Sequence, residues 1–359
     1  MREQGSSTFS VDESGWCLDR LAGLESVVTP ERIRQALAKT GRVNERSCRL
    51  THDVMLWVVT AMGLFTDAPI RHVFKECRRG REGEPTPGRS SLCEARQRLG
   101  VEPVKQRHAD RVRPLATADT PGAFYNGLRR MAIDGTVLDV PDRPATAEAF
   151  GRPTGGRGDG AFPQVEVRVI EYTLDDPQRT GHGQTHRLIT TLMNPLLHVA
   201  LDLIVGDHER WEIELVFDEQ KTHQDPVRAE KPANLRSETP DGVRQELYAI
   251  SLAHFVVRAL MVEAARPLKL DPDRLSFTGC FRVLKCRLPE CQHHTPQSFA
   301  TWYAALIWEL QHEQLPPRRN RINPRVIKRK MSKWPKKRAK HKLPPKLSKH
   351  FTDTVVMAN

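Results

Sequence analysis

Apolar side chains recur at helical spacing through most of residues 27–115, and the period shortens toward that of strands after Gly127. VTPERIRQALAKTG predicts a first helix, with Thr29 as N-cap, Pro30 at the first helical position, Glu31 in the first turn and an end near Gly41. LTHDVMLWVVTAMGLF is apolar almost all round, as a helix buried among others must be. After the turn-rich GREGEPTPG, the string RSSLCEARQRLG predicts a short amphipathic helix capped by Ser90 or Ser91, with Arg96 and Arg98 exposed. Two helices around such a turn fit a helix-turn-helix reader and a plain helical bundle equally well, since paired helices share one pattern.

Beyond Gly127, Met131 to Ile133 reads as a strand ending in Asp134, with a second short strand at Val137 to Val140. The Gly-rich GRPTGGRGDGAF lacks the GK[ST] of a phosphate-binding loop and does not join a strand to a helix, so it reads as a surface loop. Val165 to Leu174 and HRLITTLM read as two strands joined by the polar DDPQRTGHGQT. From about Val199 the pattern turns helical through LDLIVGDHERWEIELVFDEQKTH, and RQELYAISLAHFVVRALMVEAA has the character of a buried core helix. Further helices follow in DPDRLSFTGCFRVLKCRL and WYAALIWELQHE, and no internal repeat is visible. The expected class is α+β, predominantly helical.

Charge is distributed unevenly. The net charge is +12, yet fifteen Lys or Arg and no acid lie between Arg318 and His350, which leaves 41 basic against 44 acidic residues elsewhere. A polyanion partner is therefore implied for one segment only. No apolar run approaches the roughly 20 residues of a bilayer span, and MREQGSSTFSVDESGW contains no apolar signal core, so a cytoplasmic protein is expected, with no membrane partner. Seven scattered cysteines do not suggest a disulfide framework. Cys280, Cys286 and Cys291, followed by His293 and His294, offer zinc-ligand chemistry, but intervals of six and five differ from the paired two-to-four spacing of structural zinc sites. Buried or half-buried helical thiols are the better reading.

Two sets of residues carry candidate chemistry. At about 100° per residue, Arg210, Glu214 and Lys221 fall within roughly 40° of one another on a helix, placing one carboxylate and two cations on a stripe. Such a stripe suits a divalent metal beside phosphate oxygens, although on pattern alone a solvated face of ion pairs is the commoner explanation. Asp134, at a strand end before a glycine, is either an acid on a sheet rim or an ordinary Asp-Gly turn.

HERWEIELVFDEQKTH, with Arg210, three residues, Glu214, six residues and Lys221, resembles the Y-x2-R-x3-E-x6-K signature of insertion-sequence-4 family DDE transposases. IDGTVLDVPD, GAFPQV, SETPDGVRQELYAISLAHFVVRALM and LPPRRNRINPRVIKRKMSKWP resemble the actinobacterial branch, and the likeness covers most of residues 25–342. The resemblance implies a disordered leader at 1–24, an N-terminal helical DNA-binding domain at 25–127, a ribonuclease H-like catalytic domain at 128–314 and a basic disordered tail at 315–359. It further implies two Mg²⁺ or Mn²⁺ ions held by two aspartates and a glutamate, one activating the nucleophile and one stabilising the leaving oxygen. By position Asp134 is the first aspartate and Glu214 the glutamate, both catalytic and metal-binding. Arg210 and Lys221, with Arg318, Arg319, Arg321, Arg325, Lys328, Arg329 and Lys330, are the DNA contacts. The partner is double-stranded transposon-end DNA, with a homodimer possible, no small-molecule substrate, and the bacterial nucleoid as workplace.

Two departures from the family pattern stand out. Asp207 occupies the tyrosine position of the signature, placing a negative charge beside the DNA path. The family's long segment between FPQV and VRVIEYTL, which carries the second catalytic aspartate, has no counterpart, and Val165 is followed directly by Glu166. The resemblance therefore implies an internally deleted transposase, defective in cutting and still able to bind DNA. Loss of central strands is expected to leave unpaired edges and exposed apolar surface, with only the N-terminal and C-terminal helices well packed.

Overall fold

A computed structural model of the chain describes residues 30–44, 48–77, 85–118, 120, 123–151, 165–179, 181–210, 212–224, 235–288, 290, 296–316 and 349–357. In chain order the elements are α1 (Pro30–Lys39), α2 (His52–Met62), α3 (Ile70–Glu76), α4 (Arg89–Leu99), α5 (Glu102–Arg111), β1 (Phe124–Tyr125), β2 (Leu128–Arg129) and α6 (Pro144–Phe150). They continue with β3 (Arg168–Leu174), β4 (His186–Thr190), α7 (Ala200–Glu209), α8 (Glu212–Asp218), α9 (Pro240–Ala265), α10 (Phe277–Arg287), α11 (Pro296–His312) and β5 (Val355–Met357). The chain is α+β and mostly helical. It forms two compact units, one from residues 1–154 and 214–315, the other from 155–213 and 316–359.

The first unit is helical. Pro30 and Glu31 open α1, and Gly41, at φ +65°, supplies the left-handed residue that ends it. Thr51 caps α2 by accepting from Val54 N at 3.3 Å, and every residue from Val54 to Met62 is buried. Helix α4 starts at Arg89, one residue ahead of the serines expected to cap it, because Gly88 already has the extended backbone of a cap. Arg98 is exposed as expected, but Arg96 is half-buried and donates to Gln245 Oε1 at 2.7 Å and to the Gly242 carbonyl at 2.6 Å. Twelve residues separate α3 from α4, so the pair lacks the tight turn of a helix-turn-helix.

One core joins the N-terminal helices to the C-terminal ones: Ile33, Leu37, Met55 and Val59 pack with Ala253, Val257, Met261, Phe281, Leu284, Trp302, Leu306 and Leu310. Helix α9 runs through this core. At 26 residues it is long and apolar enough to cross a bilayer, which corrects the expectation that no segment reaches that length. Its buried face belongs to the bundle. Close approach of α2 to α9 depends on Gly63, where an added Cβ would lie 2.0 Å from the Ala249 carbonyl oxygen and 3.0 Å from Ala253 Cβ. Backbone cannot yield there as a flexible side chain would. Gly63→Ala is therefore expected to cost about 1–3 kcal/mol, the usual range for overpacking, read as a lower urea midpoint with an unchanged slope. An unchanged midpoint would show that the two helices separate freely.

The segment expected to form two strands, Met131 to Val140, has none. Apart from a single bridge residue at Asp139 it has no strand pairing, and Met131 and Ile133 are 75% and 94% exposed, with Val137 and Leu138 also exposed. A strand requires a hydrogen-bonding neighbour, and the described residues supply only a backbone bond from Leu235 N to the Asp139 carbonyl at 3.0 Å. Apolar side chains that a sheet would bury are thus left in solvent.

The second unit contains the antiparallel pair expected from the sequence, β3 with β4, in the register Ile170↔Leu188 and Glu171↔Arg187. Arg187 Nε donates to the opposing Glu171 carboxylate at 2.6 Å. β5 lies on the other edge of β3, giving the order β4-β3-β5. Ile170 and Leu174 are buried against Ile204 of α7 and Phe351. The alternate positions Val167 and Val169, with Ile189 opposite Val169, are exposed, so one face of this sheet carries an uncovered apolar strip.

Candidate functional site

Asp134, expected on a sheet rim, stands in an exposed segment without regular structure, where its Oδ1 accepts from the next residue, Gly135 N, at 2.7 Å. Glu214 is exposed on α8, and among the described residues no hydrogen bond or ion pair engages its carboxylate. Both acids lie in the first unit, whereas Arg210 lies in the second.

The helical stripe expected from sequence is broken. Arg210 is the C-cap of α7, Glu214 belongs to α8, and Lys221 falls in a wider π-turn, Glu219–His223, so a constant 100° step does not relate them. Arg210 is not a free cation: its Nε lies 3.3 Å from Asp207 Oδ1, the acid standing at the signature's tyrosine position. Among the described residues, no three His, Cys, Asp or Glu side chains are grouped to hold a metal ion. The Gly-rich loop with Asp159, and the basic residues Arg318, Arg319, Arg321, Arg325, Lys328, Arg329 and Lys330, lie outside the described residues.

The π-turn is held by charges that the sequence reading passed over. Glu219 accepts from His254 Nε2 at 2.8 Å and from Arg258 Nη2 at 2.7 Å, while Arg258 Nη1 donates to Asp273 at 2.7 Å. Burial disfavours the Arg258 charge, but Glu219 and Asp273 outweigh it and hold its pKa above the ordinary guanidinium value. One signal was available: His254 and Arg258, four apart inside the apolar run of α9, require a buried partner. Gln224, directly after the turn, donates through Nε2 to the Gly63 carbonyl at 2.8 Å and the Ile250 carbonyl at 3.0 Å. The segment following Glu214 is thereby pinned to the helical core.

A second network fixes the start of α9. Glu246 accepts from Arg236 Nε at 2.9 Å and Ser237 Oγ at 2.6 Å, and the Arg236 guanidinium also donates to the carbonyls of Met62, Phe65 and Ala68 at the end of α2. Burial alone would raise the Glu246 pKa. Arg236 and the Ser237 hydroxyl reverse that and hold the carboxyl below its usual range.

Among the described residues the cysteines do not gather. Cys280 is buried on α10, where burial and then the nearby Glu313 push its thiol up to about 12, while Cys286 on the same helix is exposed. Cys291, His293 and His294 lie outside the described residues.

The family profile described as "Insertion element 4 transposase N-terminal" matches residues 18–107. The chain is 26% identical to the transposase InsG for insertion sequence element IS4 of Escherichia coli, over 88% of this chain and 93% of that one. A second relative, InsZ of the same organism, is 29% identical over 39% of this chain and 46% of its own. The InsG alignment extends over 418 positions, to which this chain contributes 88% of 359 residues, about 316, so about 100 positions have no residue here. No solved structure matches the chain.

Proposed function

We propose that this chain, similar to insertion-element-4 transposases in its N-terminal part and to InsG over most of its length, is a member of that family that binds duplex DNA at insertion-sequence ends without a working cleavage centre. The observation that carries this reading is the InsG alignment, which spans nearly the whole relative while about 100 positions go unfilled in this chain. The sequence pattern assigns that loss to the Val165–Glu166 junction, inside a ribonuclease H-like domain at 128–314. The N-terminal helical domain at 25–127 and the tail at 315–359 then retain the DNA contacts.

The donor set supports the defect. Two-metal cleavage needs carboxylates that hold both ions about 3.5–4 Å apart. Asp134 sits in a solvent-exposed segment without regular structure, Glu214 on an exposed helix face, and no third acid joins them among the described residues. These residues do not fit the Mg²⁺ or Mn²⁺ pair of the family, and no chemical step is assigned to them. Asp207, 3.3 Å from Arg210 Nε, also sets a negative charge beside a cation that the family directs at transposon-end phosphate, so end binding is weakened. Binding falls to the N-terminal helical domain, to Lys221 and, for most of the affinity, to the basic run from Arg318, in the bacterial cytoplasm at the nucleoid. There the protein competes with an intact transposase for its ends, alone or as a dimer.

The test is a cleavage assay with purified full-length protein, a transposon-end duplex and Mg²⁺ or Mn²⁺. The expected result is retarded duplex without nicking. Metal-dependent nicks that disappear in Glu214→Gln would overturn the assignment, because that glutamate would then be working in a complete site.

A further inference from the structure

The end of the chain is folded, although the sequence places it in a disordered tail. Residues Thr352–Thr354 make a 3₁₀ turn and β5 then pairs antiparallel with β3, with Thr173 opposite Val356 and Leu174 opposite Val355. Asp175 N donates to the Thr354 carbonyl at 2.7 Å. Antiparallel ladders exchange both bonds at every second pair, so Thr173 and Val356 are the next bonded pair. Phe351 is the anchor: only 9% exposed, it completes the core with Ile170, Leu174 and Ile204, and its ring stacks on His208 at 3.5 Å and 8°. Arg179 lies 5.5 Å from that ring and donates through Nη2 to the Lys349 carbonyl at 2.8 Å. Lys349 Nζ in turn donates to the Asp175 carbonyl at 3.1 Å.

We propose that the second unit carries a strand-acceptor site, formed by the edge of β3 and the His208–Arg179 socket, whose ligand is an extended peptide with an aromatic anchor. The occupant is the chain's own residues 349–357, bound in cis. An unpaired sheet edge recruits strands through main-chain hydrogen bonds, and side-chain pockets then select among them. Here the backbone groups of Thr173 and Asp175 supply the first and the Phe351 socket the second. The other end of the tail is held on the first unit, where Leu315 N donates to the Arg274 carbonyl at 2.7 Å.

Hydrogen exchange with mass spectrometry on the full-length chain tests this. Val356 is about half exposed, so Val356→Pro removes a ladder donor without emptying the core. The Thr173 and Asp175 amides should then exchange at least tenfold faster while the β4 amides keep their protection. Phe351→Ala should act on the same two amides. A synthetic peptide of residues 346–359, added at millimolar concentration, should restore protection in Val356→Pro, and this rescue decides the matter if β4 also loosens in that variant. Unchanged exchange in both variants, or no rescue, overturns the proposal. Light scattering on the wild type distinguishes the source of the strand. A monomer with protection intact supports binding in cis, and a doubled mass whose loss on dilution removes the protection overturns it.

Discussion

Glu246→Ala is expected to destabilise the first unit by about 3–5 kcal/mol, the range found when one partner of a buried ion pair is removed. The loss should read as an earlier helical unfolding transition in urea. The reason lies in what the substitution strands: Arg236 keeps its charge in a half-buried position, and Ser237 loses the acceptor for both its N–H and its hydroxyl. Removing the arginine as well relieves the stranded charge but frees the carbonyls of Met62, Phe65 and Ala68, so the double variant should recover only part of the loss. The pair also predicts an acid limit. Because the folded carboxyl titrates below its usual 4.5, its stabilisation is complete above that value. It is lost as pH falls from about 4.5 through the depressed folded value. In Glu246→Gln this part of the acid dependence should vanish. A variant within about 1 kcal/mol of wild type would show that the network is solvated in solution.

Replacing residues 317–348 with a Gly/Ser linker of equal length should remove most affinity for duplex DNA. The substitution takes away fourteen Lys and Arg and leaves 42 basic against 44 acidic residues. If about six phosphates are neutralised by the run, wild-type affinity should fall about 10³-fold between 50 and 200 mM salt. The replaced protein should show weak binding and a shallow slope. Equal length preserves both anchored ends, so loss of affinity reports charge and not release of β5. Retention on a DNA column that is unaltered by the replacement would move the binding surface to the helices.

Local rules carried the sequence reading wherever an element makes its own case. Pro-Glu followed by Gly41 marked the ends of α1, uniform apolarity marked α2 and α9 as buried, and the alternation of 165–174 and 186–190 marked the hairpin, while the Thr29 cap lies outside the described residues. Failures came where a distant partner decides. Met131–Ile133 has the composition of a strand, but strandedness belongs to a pair, and no neighbour is available to it among the described residues. Arg96 looked exposed because its acceptors, Gln245 and Gly242, lie about 150 residues away. The Arg210–Glu214–Lys221 stripe assumed one α-helix, whereas a cap and a π-turn divide it. β5 was invisible inside a basic tail because three residues carry too little pattern to announce a strand. Asp134 and Glu214 were legible only through the family likeness, and their surroundings add no third donor among the described residues.

The shared core of the first unit bears on how the protein is made. Its N-terminal helices complete their packing with residues that leave the ribosome some two hundred positions later. At about 5–20 residues per second that is a wait of about 10–40 s with the apolar side of α2 uncovered. During synthesis, then, the nascent N-terminal half is expected to expose that apolar surface, and a fragment ending before α9 is expected to be less stable than the whole chain.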